Sequence, residues 1–407
     1  MDSQAQSHDD YRQESDALGK VDVPRCALYG VHTTRALKNF PLGRERSLGD
    51  FPLLVKGLLM VKAAAVLANY RCGIVNENIC NGVRKAVGHL ISEYDPLHYP
   101  IHHLHGGGGT SANMNVNEVI ANQVEELLGG KRGAYRLVSP LEIVNLNQST
   151  NDVFPTACHL ALIWAGDSLQ EKVVELLNVF KNLANNARNI KRMAKSCLQD
   201  ALEISYGDLF DGYCAVIGRS IERIQIAVDG LFSINLGGTM VGRREDVPLS
   251  YFEQILPILR EDTGLIKLKR HGNLFDAAQN LDDMVNLSNQ LALFSRSLIK
   301  ICKDIRLLAS GPEFGFRELS LSLVQEGSSF KPGKNNPVVP EFIIQSCFAI
   351  LGNDTACSAS IEHSDLDVSV WESLAVFKTL NSMEILESVV STFQDRCLTG
   401  IRLTPRY

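Results

Sequence analysis

Paired cysteines are missing from this chain: its ten cysteines include no CxxC, and no two lie closer than Cys72 and Cys80. The scatter speaks against a disulfide framework and for reduced, mostly buried thiols of a cytoplasmic protein. Basic blocks are missing too. The 40 Lys and Arg and 46 Asp and Glu mix along the sequence for a net charge of −6, which argues against a nucleic-acid partner. The opening residues, MDSQAQSHDDYRQESD, are polar and acidic without the apolar core of a signal peptide. No apolar run stands out as approaching the ~20 residues of a membrane span, and a cytoplasmic chain is the expectation. Glycine and proline are both absent from residues 273–310; residues 157–206 hold one glycine and no proline, and 341–399 only Gly352. Stretches so free of turn residues predict long helices. No internal repeat, low-complexity linker or alternating run points to a substantial sheet.

What is present agrees with a helical protein. At 45% hydrophobic and 21% charged residues, the chain is globular and long enough for a large core or two domains. Residues 1–20 read as a disordered lead-in. From residue 52 to 87, Leu, Val and Ala recur at helical spacing. Further on, Leu291, Phe294, Leu298, Ile301, Ile305 and Leu308 repeat in three- and four-residue steps, an apolar stripe on one helix face. An unbroken helix over 273–310 would span roughly 57 Å. That is too long for one compact domain to bury, which predicts a bundle shared between subunits.

Three polar segments stand out. GSSFKPGKNNPVVPE (residues 327–341) offers two hydroxyls, an ammonium and an amide on a Gly/Pro-rich backbone. Such a loop can close over an anion and still move. GGGGTSANMNVNE (106–118) and NLNQSTNDVFPT (145–156) are dense in Thr, Ser and Asn, nearly uncharged, and each leads into an apolar helical pattern. Either one alone is an ordinary helix cap. Together with the lysine loop they read as three walls of one carboxylate-binding site.

These segments resemble the three signature regions of the aspartase/fumarase superfamily, in the family's order and at similar separations. Tyr29-Gly30-Val31-His32-Thr33, Gln148-Ser149-Thr150-Asn151-Asp152 and Pro337-Val338-Val339-Pro340-Glu341 are similar to the wording of its aspartate ammonia-lyase branch. The resemblance runs from about residue 12 to about residue 400. It implies a mainly α fold, a long-helix bundle whose central helices are shared in a homotetramer with active sites at subunit junctions. It also implies an N-terminal helical domain over 21–140 and a central bundle domain over 141–397. Residues 398–407 are then a stub where relatives continue into a C-terminal domain, a departure that puts lid behaviour in question.

The implied activity is that of a cytoplasmic carbon–nitrogen lyase. It removes ammonia from aspartate or a close analogue by anti-elimination to leave a fumarate-type product, with no metal and no cofactor. The residue types suit that chemistry. A weakly acidic C–H beside a carboxylate can be deprotonated only if pre-aligned donors hold the resulting aci-carboxylate dianion, with a base on the face opposite the leaving amine.

Carried over position by position, the resemblance implies Ser328 as the catalytic base. Lys334 and Asn336 would hold the α-carboxylate, and Thr110, Ser149 and Thr150 would donate to the carboxylate that becomes aci. Asn151 would lie near the amino group. Ser196 keeps a hydroxyl where a threonine ordinarily binds carboxylate. Cys197 stands where a histidine or glutamine contacts substrate, so Glu341 loses its usual histidine neighbour. The stretch GGTMVGRRE (237–245) brings Arg243 and Arg244 in place of a Gly-Thr-Gly and a later asparagine. Those arginines either recognise a larger or more anionic substrate, or are solvated or paired with Glu245 and Asp246. Ser139-Pro140-Leu141-Glu142 replaces a His-Pro-Asn-Asp segment, and the secondary dicarboxylate site of fumarases is expected to be lost with it.

His98, His102, His103 and His105 have no carboxylate or cysteine at metal-ligand spacing and are expected to be solvated. The tetraglycine 106–109 lacks the Lys-Ser/Thr of a phosphate loop. Two other readings remain open: the same elimination on a different amine or a substituted succinate, and a catalytically degenerate homologue. Retention of Ser328, Lys334, Asn336 and the Thr/Ser clusters speaks against the last.

Overall fold

A computed structural model describes residues 10–404. Residues 1–9 and 405–407, the outer ends of the expected lead-in and stub, lie outside the described residues. In chain order the elements begin β1 (Tyr11–Asp16), β2 (Gly19–Pro24), α1 (Val31–Asn39), α2 (Pro52–Arg71), α3 (Glu77–Ser92), α4 (Thr110–Leu127) and α5 (Thr150–Asn186). They continue β3 (Lys191–Ser196), β4 (Gln199–Ser205), α6 (Tyr206–Gly230), β5 (Ser233–Ile234), α7 (Leu249–Thr263), β6 (Lys269–Arg270) and α8 (Leu274–Gln279). The last are α9 (Asp282–Leu308), β7 (Leu319–Ser320), α10 (Val338–Glu362), α11 (Glu372–Arg396) and β8 (Arg402–Leu403). Helices dominate, as expected, and every sheet among the described residues is two-stranded.

The chain divides into two compact units. Unit 1 takes Met1–Ile163, Leu231–Met284 and Ala359–Phe377; unit 2 takes Trp164–Gly230, Val285–Ser358 and Lys378–Tyr407.

In unit 1, β1 and β2 pair antiparallel from Tyr11↔Pro24 to Asp16↔Gly19, where composition alone predicted a disordered lead-in. Long-range bonds order this polar ribbon. The Arg12 guanidinium donates to the carbonyls of Pro24, Ala27 and Tyr29 and pairs with Glu14 at 2.8 Å, while Val21 and Val23 face the core. Helix α2 is buried over most of its length, with Gly57 so close to Ala157 that a Cβ would lie 2.7 Å from its carbonyl oxygen. By length and composition alone α2 would suffice to cross a membrane, contrary to the expectation that no run approaches that size. Its most apolar stretch is 72% buried and carries Lys62 inward, so it is a core helix of unit 1. The ring of Phe51, just before α2, meets Phe377 edge-on at 4.5 Å.

In unit 2, Phe180 gathers Phe210, Tyr213 and Phe393 at ring distances of 6.4, 5.8 and 5.8 Å. The predicted stripe on α9 is buried throughout, from Leu291 at 0% to Leu308 at 7% exposure. The helix over 273–310 is not continuous, however. It breaks at Asn280, whose backbone is extended and whose side-chain amide donates to Asp276 at 2.6 Å. An asparagine that bonds locally can end a helix without glycine or proline. Likewise α5 stops at Asn186 and a hairpin follows, and residues 363–371 separate α10 from α11.

Candidate active site

The 145–156 segment and the 106–118 segment meet in unit 1. Ser149 precedes the first turn of α5: its Oγ accepts the Asn151 N–H at 3.3 Å, and its own N–H donates to Asp152 Oδ1 at 2.9 Å. Half of a capping box therefore presents Ser149, Thr150 and Asn151 where the free N–H groups of a helix start favour an anion. Asp152 Oδ2 accepts the Gly237 N–H at 3.0 Å. Beneath Thr150 lies a polar floor. Asn145 Oδ1 accepts from Lys62 Nζ at 2.8 Å, Asn113 Nδ2 at 3.1 Å and Asn117 Nδ2 at 3.2 Å. Asn113 Nδ2 also donates to Thr150 Oγ1 at 3.0 Å. Burial pushes Lys62 down to about 7 and Asp152 up to about 6, and the attraction between the two charges opposes both shifts.

Thr110 opens α4 after Gly109, whose φ of +83° and contact with the Phe154 ring admit only glycine. Thr110 lines an open cleft of about 290 Å³ with Ser111, His32 and Arg35. Just over two turns further along α4, Glu118 is buried and receives the N–H groups of Gly30, His32 and Thr33 at 2.8, 2.7 and 3.2 Å and the Thr33 hydroxyl at 2.7 Å. Burial raises its pKa, while the Thr33 hydroxyl and the N–H groups of Gly30 and His32 pull it down. The Tyr29–Thr33 motif is thus pinned to the glycine-rich one.

Unit 2 holds the remaining predicted residues. Ser328, Lys334 and Asn336 come together in one loop. Ser328 Oγ accepts the N–H groups of Phe330 at 3.2 Å and Lys331 at 3.0 Å. Gly327 N–H donates to the Lys334 carbonyl at 3.1 Å, and Asn336 Nδ2 to the Gly327 carbonyl at 2.5 Å. A Cβ on Gly327 would sit 2.2 Å from that Lys334 oxygen, so the closure requires glycine. The Lys334 side chain is exposed, and Phe330 is 95% exposed.

Ser196 and Cys197 occupy the tip of the β3–β4 hairpin. Ser196 pairs with Gln199, and the two connecting residues, Cys197 and Leu198, have φ of +52° and +63°. That is the two-residue turn usually made by Asn-Gly. At the base of the hairpin Arg192 pairs with Glu318 at 2.9 Å. Cys197 is exposed. Glu341, expected to lack its histidine neighbour, pairs with Arg306 at 3.1 Å.

The predicted site residues therefore fall into two groups, Thr110, Ser149, Thr150 and Asn151 in unit 1 and Ser196, Cys197, Ser328, Lys334 and Asn336 in unit 2. Of the two expectations for the arginine pair, the structure carries the second for Arg243, which pairs with Asp246 at 3.3 Å, while Arg244 lies over the Phe252 ring at 5.3 Å. The histidines are not all solvated. His103 and His105 are 7% and 4% exposed, each with Nδ1 on a backbone carbonyl, because His103 packs on the rings of Phe51 and Phe377 and His105 on that of Phe154. Lys62, Asn113, Asn117 and Asn145 escaped the sequence reading. Their signals were a lysine set within the apolar run of α2 and two asparagines four apart on one helix face.

A lyase family model matches residues 19–352. The chain is 37% identical over 393 residues to an aspartate ammonia-lyase of a Bacillus species, covering 97% of this chain and 83% of that one. It is 34% identical over 390 residues to an aspartate ammonia-lyase of Helicobacter pylori, covering 96% and 83%. Among solved structures, a fumarate lyase:delta crystallin from Brucella melitensis superposes with a TM-score of 0.94 at 36% identity, covering 97% of this chain and 85% of that one. A class II fumarase from Schistosoma mansoni gives 0.93 at 28% identity, with the same coverage.

Proposed function

Because this chain belongs to the aspartase/fumarase superfamily of lyases, on its aspartate ammonia-lyase branch, we propose that it eliminates ammonia from aspartate to give fumarate. The observation that carries the mechanism is the clasp on Ser328. A serine is a poor base at its ordinary pKa, and hydrogen bonds donated to its oxygen favour the ionised form. Phe330 and Lys331 donate two such bonds, and the exposed Lys334 side chain belongs to the same loop. In this reading Ser328 takes the proton from the carbon beside the β-carboxylate. Ser149, Thr150 and Thr110 hold the aci-carboxylate, Lys334 and Asn336 hold the α-carboxylate, and ammonia departs with the C–N electron pair. Ser196 and Cys197 face the substrate from the hairpin tip, and Asn151 stands near the leaving amine.

The site groups belong to separate units, and a homotetramer with sites at subunit junctions is the assembly we propose. What supports it is the face of α10 that carries Phe342, Gln345, Phe348, Ala349, Gly352 and Thr355, all exposed and none charged, with Phe342 at 41% and Phe348 at 56%. An uncharged helix face of this extent marks an interface. A cytoplasmic location fits the free, largely buried cysteines.

The test is a panel of amino- and substituted succinates followed near 240 nm, where a fumarate-type product absorbs. Fumarate release from aspartate is the expected result. Folded protein inert toward every succinate-type amine would overturn the reading. Turnover of a substituted analogue in preference to aspartate would favour the second reading, for which Cys197 is the observation: a thiol is a weak donor where relatives place histidine or glutamine.

A further inference from the structure

We propose that Lys62 is a positioning residue which, through Asn145 and Asn113, sets the direction in which the Thr150 hydroxyl donates its proton. The inference rests on the reading that Thr150 binds a substrate carboxylate. Lys62 projects from the apolar helix α2 and is fully buried. A lysine in such a place destabilises the fold unless its N–H groups are used. One of them is: Nζ donates to Asn145 Oδ1 at 2.8 Å.

That bond orders everything downstream. The amides of Asn145, Asn113 and Asn117 form a small network that has two possible senses. In the first, Asn145 Oδ1 faces the two α4 asparagines and accepts from both. In the second, all three amides are turned over, so that Asn145 Nδ2 donates and the α4 oxygens accept. Asn113 Oδ1 and Asn117 Oδ1 are buried without a partner, so the second sense would satisfy two groups that the first leaves bare. An ammonium has donors only, and it is compatible only with the first sense; Asn145 Nδ2, on the carbonyl of Gln148 at 3.1 Å, adds to the bias. Burial pushes Lys62 down to about 7, and the nearby Asp152 charge opposes that shift in favour of the ammonium form.

The sense reaches Thr150 directly. In the observed arrangement the NH₂ of Asn113 spends one proton on Asn145 and the other on Thr150 Oγ1 at 3.0 Å. Thr150 Oγ1 is thereby an acceptor on its inner side, and its own proton points away from Asn113, from a half-exposed residue at the start of α5. A carboxylate arriving there meets a donor. With the network reversed, Thr150 would give its proton inward to Asn113 and present lone pairs to the anion. Lys62 thus acts on substrate through two intervening amides and never touches it.

The experiment is a double-mutant cycle on the whole enzyme with two readouts, kcat/KM for aspartate and the Kd of succinate, a dicarboxylate that cannot react. Lys62→Met should lower kcat/KM and weaken succinate roughly 10- to 100-fold, the loss of one directed hydrogen bond to an anion. Its Tm should hold or rise, because a buried charge is removed. Lys62→Gln, which can still donate, should recover most of the loss. In a Thr150→Val background the further cost of Lys62→Met should nearly vanish, since no hydroxyl remains to orient. Equal costs in both backgrounds, or no cost in the wild-type background, would overturn the inference and leave the functional reading standing. Wild-type protein that neither binds succinate nor converts aspartate overturns both. Should Lys62→Met fail to fold, the same cycle run with Asn113→Leu decides the question by the same criterion.

Discussion

Ser328 is one of many serines in the sequence, and its surroundings set it apart. Two backbone N–H groups converge on its oxygen, and Gly327 beside it closes on Lys334 where no larger residue fits. Ser328→Ala should lower kcat on the order of 10²–10⁴-fold and leave the succinate Kd close to wild type. Lys334→Ala should reverse that pattern, because the anion loses its local cation; kinetics at 240 nm and calorimetry separate the two. Glu372 is different in kind. It is 3% exposed with one carboxylate oxygen unpartnered, and burial raises its pKa from 4.5 to about 7. A carboxyl whose pKa rises on folding contributes fully below its unfolded value, and that contribution is lost as the pH climbs through the folded one. Glu372→Gln should therefore raise Tm at pH 8 and change it little at pH 5, with an effect of roughly 2–3 kcal/mol at the higher pH. Ser328 and Lys334 were legible in the sequence because a Gly/Pro-rich loop with hydroxyls and one lysine is unusual in a helical chain. Glu372 and Lys62 were not, since a charge at the edge of an apolar run looks the same whether solvent or protein surrounds it.

Among the elements, α9 was the most legible, its apolar stripe buried as predicted. The β3–β4 hairpin was the least. Most of its residues are exposed or half-exposed on both faces, so no alternation marks it, and its turn is made by residues that disfavour positive φ. Leu198 holds φ of +63° with its side chain 62% exposed. Leu198→Gly should accordingly stabilise the hairpin by about 1 kcal/mol, seen as slower hydrogen exchange of the β3 and β4 amides. Faster exchange would show that the leucine side chain contributes more than its backbone costs. The break at Asn280 was equally hidden, for it depends on a side chain bonding its own preceding turn.

For the whole molecule, the uncharged face of α10 is the feature on which the proposed homotetramer rests. Phe348→Asp places a carboxylate in the middle of that face, and light scattering should show the proposed tetramer dissociating with loss of activity. A mutant that stays tetrameric, or wild-type protein that is monomeric at micromolar concentration, would count against shared sites. The order in which the parts of unit 1 emerge has a further effect during synthesis. Ala359–Phe377 belongs with Met1–Ile163, and Phe377 is the ring that meets Phe51. At 5–20 residues per second, a ribosome that has finished the first 163 residues takes on the order of 10–40 s to deliver the segment that completes them. Throughout that interval the nascent chain carries Phe51 and the apolar helix behind it without their last covering, exposed apolar surface of the kind that invites aggregation and that chaperones shield.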